Sequence, residues 1–386
     1  MGWSAQRKTG LTVHTSARSF KGLTLLTPLG GEATLLLDMD GRVVHRWRQP
    51  GYRVFHAELL PSGNLLALVT DTALLPAPET PFDQPPPVFD RHVRRLGGNA
   101  SHLRELDWDS RLVWEYHNER LHHDFVRLDN GNTLVAEWAE LPAELAERVL
   151  GGVRRPGEVF PPMLGDDILE IDIHGVEVQR IRLWQLLDPV DDPICPLETR
   201  WEWTHVNSLA LTADGGLVFS SRTNSRIGII DRPDGTLRWK FGWPELAHQH
   251  HATVLANGTV QVFDNGMHRV GLPYSRVVEI DPGYNKVVWE YTGEPREQFF
   301  SGHISGAQRL PNGNVLICEG TSGRVFEVTP RGETVWEWIN PFLTVNRGNQ
   351  GPWIFRALRY GPDFPGLIGH SLDPAQLADF NRLHGL

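Results

Sequence analysis

Apolar and polar residues alternate in short runs along this chain, and a turn signal closes almost every run. HAELLPSGNLLALV, HDFVRLDNGNTLVAEW, HVNSLALTADGGLVFSSR, HHATVLANGTVQVFDNG and HISGAQRLPNGNVLICEG each read as strand, tight turn, strand. Period-two alternation predicts half-buried strands. The Asn-Gly, Asp-Gly and Ser-Gly pairs supply the positive φ that a short hairpin needs. A second kind of hairpin ends in an aromatic-rich strand: LLLDMDGRVVHRW, LRELDWDSRLVWEY, ILEIDIHGVEVQRIRLW, IGIIDRPDGTLRWKF, VVEIDPGYNKVVWEY and VFEVTPRGETVWEW. Self-similar four-stranded units of about 40–45 residues predict a β-propeller. The second halves outnumber the first by one, and FRALRYGPDFPGL near the C-terminus has the missing pattern. The expected fold is all-β: a six-bladed β-propeller whose last blade is closed by strands from both termini, residues 1–386 forming one domain.

Three insertions break the period, near residues 71–100, 139–166 and 185–203. The first carries PAPETPFDQPPP, the second a helical-looking AELPAELAERVLGG, and the third DPVDDP and WEW. Loops this long inside a compact domain are functional or mobile. They either cap one end of a propeller channel or decorate the surface. Trp47, Trp114, Trp184, Trp239, Trp289 and Trp336 recur at equivalent places, as expected of blade-to-blade packing rather than ligand stacking. The Asp-x-x-Gly pieces, Asp38 to Gly41 and Asp172 to Gly175, lack the ligand run of a calcium loop and read as turns.

Composition narrows the function. A net charge of −10 with no basic run argues against nucleic acid as a partner. No continuous apolar stretch is long enough for a transmembrane helix, so no membrane partner is expected. The N-terminus has no apolar core of a signal peptide, which points to a cytoplasmic location. Two cysteines, Cys195 and Cys318, are too few for a disulfide framework. The oligomeric state is not legible.

The candidate chemistry lies in the histidines. His123, His205, His250 and His303 stand eight or ten residues before the turn glycines Gly131, Gly215, Gly258 and Gly313. In strands without bulges, equal parity puts the four imidazoles on one face. His122 and His251 have the opposite parity and should point away; His56 does too. His45, His102, His117, His174 and His384 read as surface or turn residues. Asn207 shares the strand face of His205, and Arg222, on the returning strand, comes to the level of His205. Asn265 takes the corresponding place in the next blade. Imidazole serves as nucleophile, acid, base or metal ligand. An arginine fork among the rings favours an anion over a bare metal ion.

These motifs bring a family into view. HHDFVRLDNGNTL, WTHVNSL, the QH of HQHHATVLANG with FDNG following, and HISGAQRLPNGNVLICEGTSGRVFEVTPRGETVWEW resemble the bacterial arylsulfate sulfotransferases, the PAPS-independent kind built on a six-bladed propeller. The resemblance covers nearly the whole chain. It implies transfer of a sulfuryl group from a phenolic sulfate ester to an acceptor phenol through a sulfohistidine, in ping-pong order, with no cofactor. His250, after Gln249, matches the nucleophile. His205, Arg222 and His123 match the other catalytic positions, with His122 as the register alternative to His123. Asn207, His303, Asn265, His122 and His251 are the expected substrate-binding residues, and the expected partner is a small anionic aromatic substrate. His251, directly after the nucleophile position, departs from the family pattern. So do the shorter length and the lack of an export signal.

Three other readings stay open. One is a metalloenzyme, a hydrolase, lyase or oxygenase, with a divalent metal on His123, His205, His250 and His303. Another is a propeller that binds a small anion without turnover. The third is a quinone-cofactor dehydrogenase, which shares the D-x-x-G-x-x-x-W look but generally has eight blades.

Overall fold

A computed structural model of the chain describes residues 8–75, 96–154, 162–232, 234–346 and 349–386. Among these, α-helix is confined to Ala143–Arg148 and Ala378–Leu383. No helix among them is long and apolar enough to cross a membrane. Nearly everything else with regular structure is antiparallel sheet, in the blade set of a six-bladed β-propeller. In chain order, blade 1 holds Leu23–Pro28, Ala33–Leu37 and Val43–Arg48; blade 2 Tyr52–Leu59, Leu65–Asp71, His102–Leu106 and Leu112–His117; blade 3 Leu121–Arg127, Thr133–Glu140, Leu164–Ile171 and Glu177–Arg182. Blade 4 holds Val206–Leu211, Leu217–Ser221, Arg226–Asp231 and Thr236–Gly242; blade 5 His250–Val254, Val260–Asp264, Arg276–Asp281 and Lys286–Thr292; blade 6 Gly306–Arg309, Val315–Glu319, Arg324–Val328 and Thr334–Ile339.

The chain divides into two compact units, each taken by itself. The first comprises residues 1–69, 104–114 and 304–386. Here Ile354–Tyr360 completes blade 1 by pairing with Leu23–Pro28, Leu358 opposite Leu25, so strands from both ends close the blade as expected. A second closure was not legible. Gly10–His14 adds a fifth strand to blade 6, with Leu11 opposite Trp338. Pairing both ends in sheets ties down backbone that would otherwise fray. Trp336 and Trp338 are fully buried here, and the Arg359 guanidinium lies over the Trp336 ring, 4.3 Å from its centre. Arg359 also meets Glu327 at 2.5 Å in a buried ion pair. Burial pushes Arg359 down to about 10, against the pull of Glu327.

The second unit comprises residues 70–103 and 115–303. Its largest core cluster joins blade residues such as Leu134, Ile168, Leu209 and Phe219 to residues of two insertions: Leu141, Val149 and Met163 of one, Leu187, Ile194 and Trp203 of the other. These insertions are therefore packed, not decorative. Asp192 anchors the later one. It is wholly buried and meets Arg226 at 2.8 Å and Lys240 at 2.7 Å. The helical look of the earlier insertion corresponds to Ala143–Arg148. PAPETPFDQPPP lies outside the described residues.

Other expectations resolve locally. Trp47 and Trp336 are fully buried packing rings, while Trp114, Trp184, Trp239 and Trp289 are only half-buried. Asp38 and Asp172 accept hydrogen bonds from backbone N–H groups two and four residues on, which is turn chemistry. Two histidines read as surface or turn residues are not. His45 stacks on Trp108, and burial drives its pKa to about 4; His102 is buried and stacks on His117.

Candidate functional site

The proposed site residues lie in the second unit, and strand bulges decide how they are presented. Register shifts interrupt the inner pairings of blades 3, 4 and 5 beside His123, Asn207 and His251. A bulge inserts an extra residue and re-aims side chains. His123, His205, His248 and His251 all have φ between 54° and 58°, the left-handed region. For a non-glycine residue that costs about 1–3 kcal/mol, and such strain persists where the surroundings over-determine it.

Parity therefore does not separate the paired histidines. His122 and His123 are both buried, with their Nδ1 atoms 2.9 Å apart. His250 and His251 are both buried as well. His205 sits one residue before its strand and His303 three residues before its own. His303 is exposed, yet close enough that its charge acts on His250.

His250 has a defined tautomer. Asn265 Nδ2 donates to the Ser301 carbonyl at 2.7 Å, which leaves Asn265 Oδ1 as an acceptor. That oxygen lies 2.8 Å from His250 Nδ1, and the His248 carbonyl lies 3.2 Å from the same nitrogen. Two acceptors at Nδ1 place the proton there and leave the lone pair on Nε2. Burial holds the His250 pKa well below the ordinary value, and the charge of Arg222 lowers it further. The ring is neutral at physiological pH.

His123 and His205 are placed by carboxylates. Asp166 Oδ1 stands 3.0 Å from His122 Nε2, so His122 turns its Nδ1 lone pair to His123. Asp166 is itself held by the Thr204 hydroxyl and by the Val206 N–H at 3.0 Å. This network leaves the Nε2 of His123 as an acceptor. Burial lowers the His123 pKa, and His205 lowers it further. The His123 and His205 rings meet edge to face, 4.5 Å between centres. His205 Nδ1 lies 2.8 Å from Glu202 Oε2. Burial pushes the Glu202 carboxyl up, but His205 and Arg222 more than offset it, so it stays below the usual range.

Arg222 follows the strand Leu217–Ser221, and its N–H donates to the His205 carbonyl at 3.0 Å, the level expected for it. Its guanidinium meets Glu198 Oε1 at 2.9 Å. Asn207 Nδ2 donates to the Gln249 carbonyl at 2.7 Å, which ties blade 4 to blade 5 beside His250. Arg222 acts electrostatically on His123, His250 and Glu202, so one cation serves the whole group. The arrangement offers a neutral nucleophile, an anion-holding fork and a carboxylate-backed imidazole for proton transfer.

Three carboxylates were missed. Glu202 carries a sequence signal, an acid three residues before the histidine in WEWTH. Asp166 and Glu198 carry none, because each reaches its partner across at least 24 residues of chain. A second group also escaped: Cys195, His248 and His268, whose donor atoms lie within 4.8 Å of one another.

Comparison with known proteins agrees with the fold. The family profile described as Arylsulfotransferase (ASST) matches residues 97–341, more than half of the chain. No curated protein matches it. Among solved structures, a protein of unknown function from Bacteroides caccae is similar with a TM-score of 0.55 at 14% identity, covering 88% of this chain and 98% of the other. A streptogramin B lyase is similar at 13% identity with a TM-score of 0.46, covering 88% of this chain and 84% of the other. At these identities the likeness to the Bacteroides caccae protein extends to the fold alone.

Proposed function

The chain belongs to the arylsulfotransferase (ASST) family, and on that premise we propose that it moves a sulfuryl group from a phenolic sulfate ester to an acceptor phenol through a sulfohistidine at His250. One observation carries the reading: Asn265 holds the Nδ1 proton of a buried, neutral His250 within the field of Arg222. The Nε2 lone pair forms a bond to sulfur while the bond from sulfur to the aryl oxygen breaks, its electrons staying on the phenolate. Arg222 offsets charge on the sulfuryl oxygens. His205, its Nδ1 held by Glu202 at 2.8 Å, gives a proton to the phenolate, and the phenol leaves. In the second half His205 takes the proton of the acceptor phenol, whose oxygen attacks sulfur and restores His250. His123, whose ring meets that of His205 edge to face, is a second proton acceptor beside it. Asn207, Asn265, His303, His122 and His251 bind substrate or position these rings. The partner is a small anionic aromatic molecule, and the named side chains carry each step without a cofactor.

The test is direct. After reaction with a chromogenic aryl sulfate and no acceptor, the peptide containing His250 should gain about 80 Da, the mass of SO3, as a covalent intermediate requires. Added phenol should remove the adduct and release the sulfated product. In His250→Ala the adduct should be absent and turnover should fall by about 10³-fold or more. Wild-type turnover with no adduct under quenched conditions would overturn the reading.

A further inference from the structure

Beyond His250 and its attendants, a second cluster stands beside Arg222. We propose that Cys195, His248 and His268 form a binding site for a thiophilic divalent transition-metal ion, zinc(II) being the ion this donor set favours. Cys195 Sγ and His268 Nδ1 are 3.4 Å apart. Zinc–sulfur and zinc–nitrogen bonds of about 2.3 and 2.0–2.1 Å in a tetrahedron put sulfur and nitrogen about 3.5 Å apart, so the pair already spans one edge. Glu198 Oε1 lies beside the cluster, 3.5 Å from His248 Nδ1 and 3.8 Å from His268 Nδ1, and holds Arg222 at 2.9 Å, which sets a carboxylate between the cluster and that cation.

The second observation is His248 itself. It is 1% exposed, and among the described residues neither ring nitrogen has a hydrogen-bond partner. A buried imidazole with both nitrogens unsatisfied is costly, and a metal bond at one of them removes much of that cost. The backbone holds the donors in place from three segments. The Cys195 N–H donates to the Thr223 carbonyl at 2.8 Å, and the His248 N–H to Ser225 Oγ at 3.0 Å. The Gly266 N–H donates to the Ala247 carbonyl at 2.9 Å, which joins the two histidine loops. His248 and His268 both adopt positive φ, 56° and 62°. Soft thiolate with imidazole is a zinc-type set, whereas calcium and magnesium take oxygen donors. Binding replaces the thiol proton: the S–H bond breaks, a sulfur–metal bond forms and one proton goes to solvent. None of the ligands is a group that the sulfuryl-transfer scheme uses to carry sulfur or protons, so the two readings stand or fall separately.

The full chain, stripped with chelator, should be titrated with zinc(II) by equilibrium dialysis and with cobalt(II) by absorption. One ion per chain is expected, with a thiolate-to-cobalt charge-transfer band. Cys195→Ser should abolish the band. His268→Gln, on a partly exposed loop, should weaken binding by about 10-fold or more, since even outer-shell changes at metal sites cost about 10–100-fold. His250→Ala should bind metal as the unaltered chain does. Absence of the band in a folded wild type overturns the proposal. So does stoichiometric binding that survives both Cys195→Ser and His268→Gln, or that disappears in His250→Ala. Near-ultraviolet circular dichroism of each variant reports folding, and His268→Gln alone decides if the serine variant does not fold.

Discussion

Asn265 does for His250 what no local rule could: it selects a tautomer. A ring with its proton on Nδ1 offers Nε2 as the nucleophile; the other tautomer does not. Asn265→Ala removes the acceptor at 2.8 Å and leaves the His248 carbonyl at 3.2 Å as the weaker hold. Loss of one such hydrogen bond is worth about 1–3 kcal/mol, so kcat should fall by about 10–100-fold with KM little changed. Steady-state kinetics on an aryl sulfate check this, and an unchanged kcat would remove Asn265 from the mechanism. The candidate residues themselves were readable, because glycine-marked turns number the positions before them. Asp166, Glu198 and Glu202 were harder to see. A carboxylate that orients a histidine needs only to reach it in space, and only Glu202 happens to be near in sequence as well.

At the level of strands and loops, bulges and insertions carry the arrangement. The two-residue period places a side chain on one face only while the ladder stays regular, and the ladders of blades 3 to 5 are interrupted beside their histidines. Hence His122 and His123 lie side by side, where alternation separates them. The end of the first insertion sets the same ring. Gly98 has φ 72°, and a Cβ there would lie 2.2 Å from His123 Nε2. Gly98→Ala must therefore push the imidazole aside. A displacement of about 1 Å in a reacting group costs about 10²-fold in rate. The expected outcome is a drop of that order in turnover, with the circular-dichroism spectrum of the sheets retained. Full activity in this variant would mean that His123 does not need its observed place. The later insertion acts similarly, for Trp203 and Ile194 sit in the core while Cys195, Glu198 and Glu202 between them meet His268, Arg222 and His205.

For the molecule as a whole, the buried neutral histidines predict a pH dependence of stability. Burial holds His45 at about 4 and His123 well below the 6.5 of an unburied ring. Below about pH 6.5 the unfolded chain takes up protons that the folded chain refuses. The stability these groups contribute is complete above that pH and is lost progressively as pH falls through 6 and 5 towards the folded values. Unfolding midpoints in urea should be flat from pH 7 to 8 and decline steadily below about pH 6.5. A midpoint that rises on acidification would contradict the burial of neutral imidazoles. Because the chain has two compact units, the midpoint is the quantity to follow rather than a single free energy.

The repeat of alternating strands and glycine turns was enough to specify the sheets, their order, and the blade completed by both ends. These features rest on local pattern, and local pattern is written residue by residue. The fifth strand at Gly10–His14, the bulges, the carboxylates behind His122 and His205, and the meeting of Cys195, His248 and His268 came only with the tertiary structure. Each depends on which distant segments pack together. Packing chooses partners by shape, burial and unsatisfied hydrogen bonds, and sequence spacing does not record those.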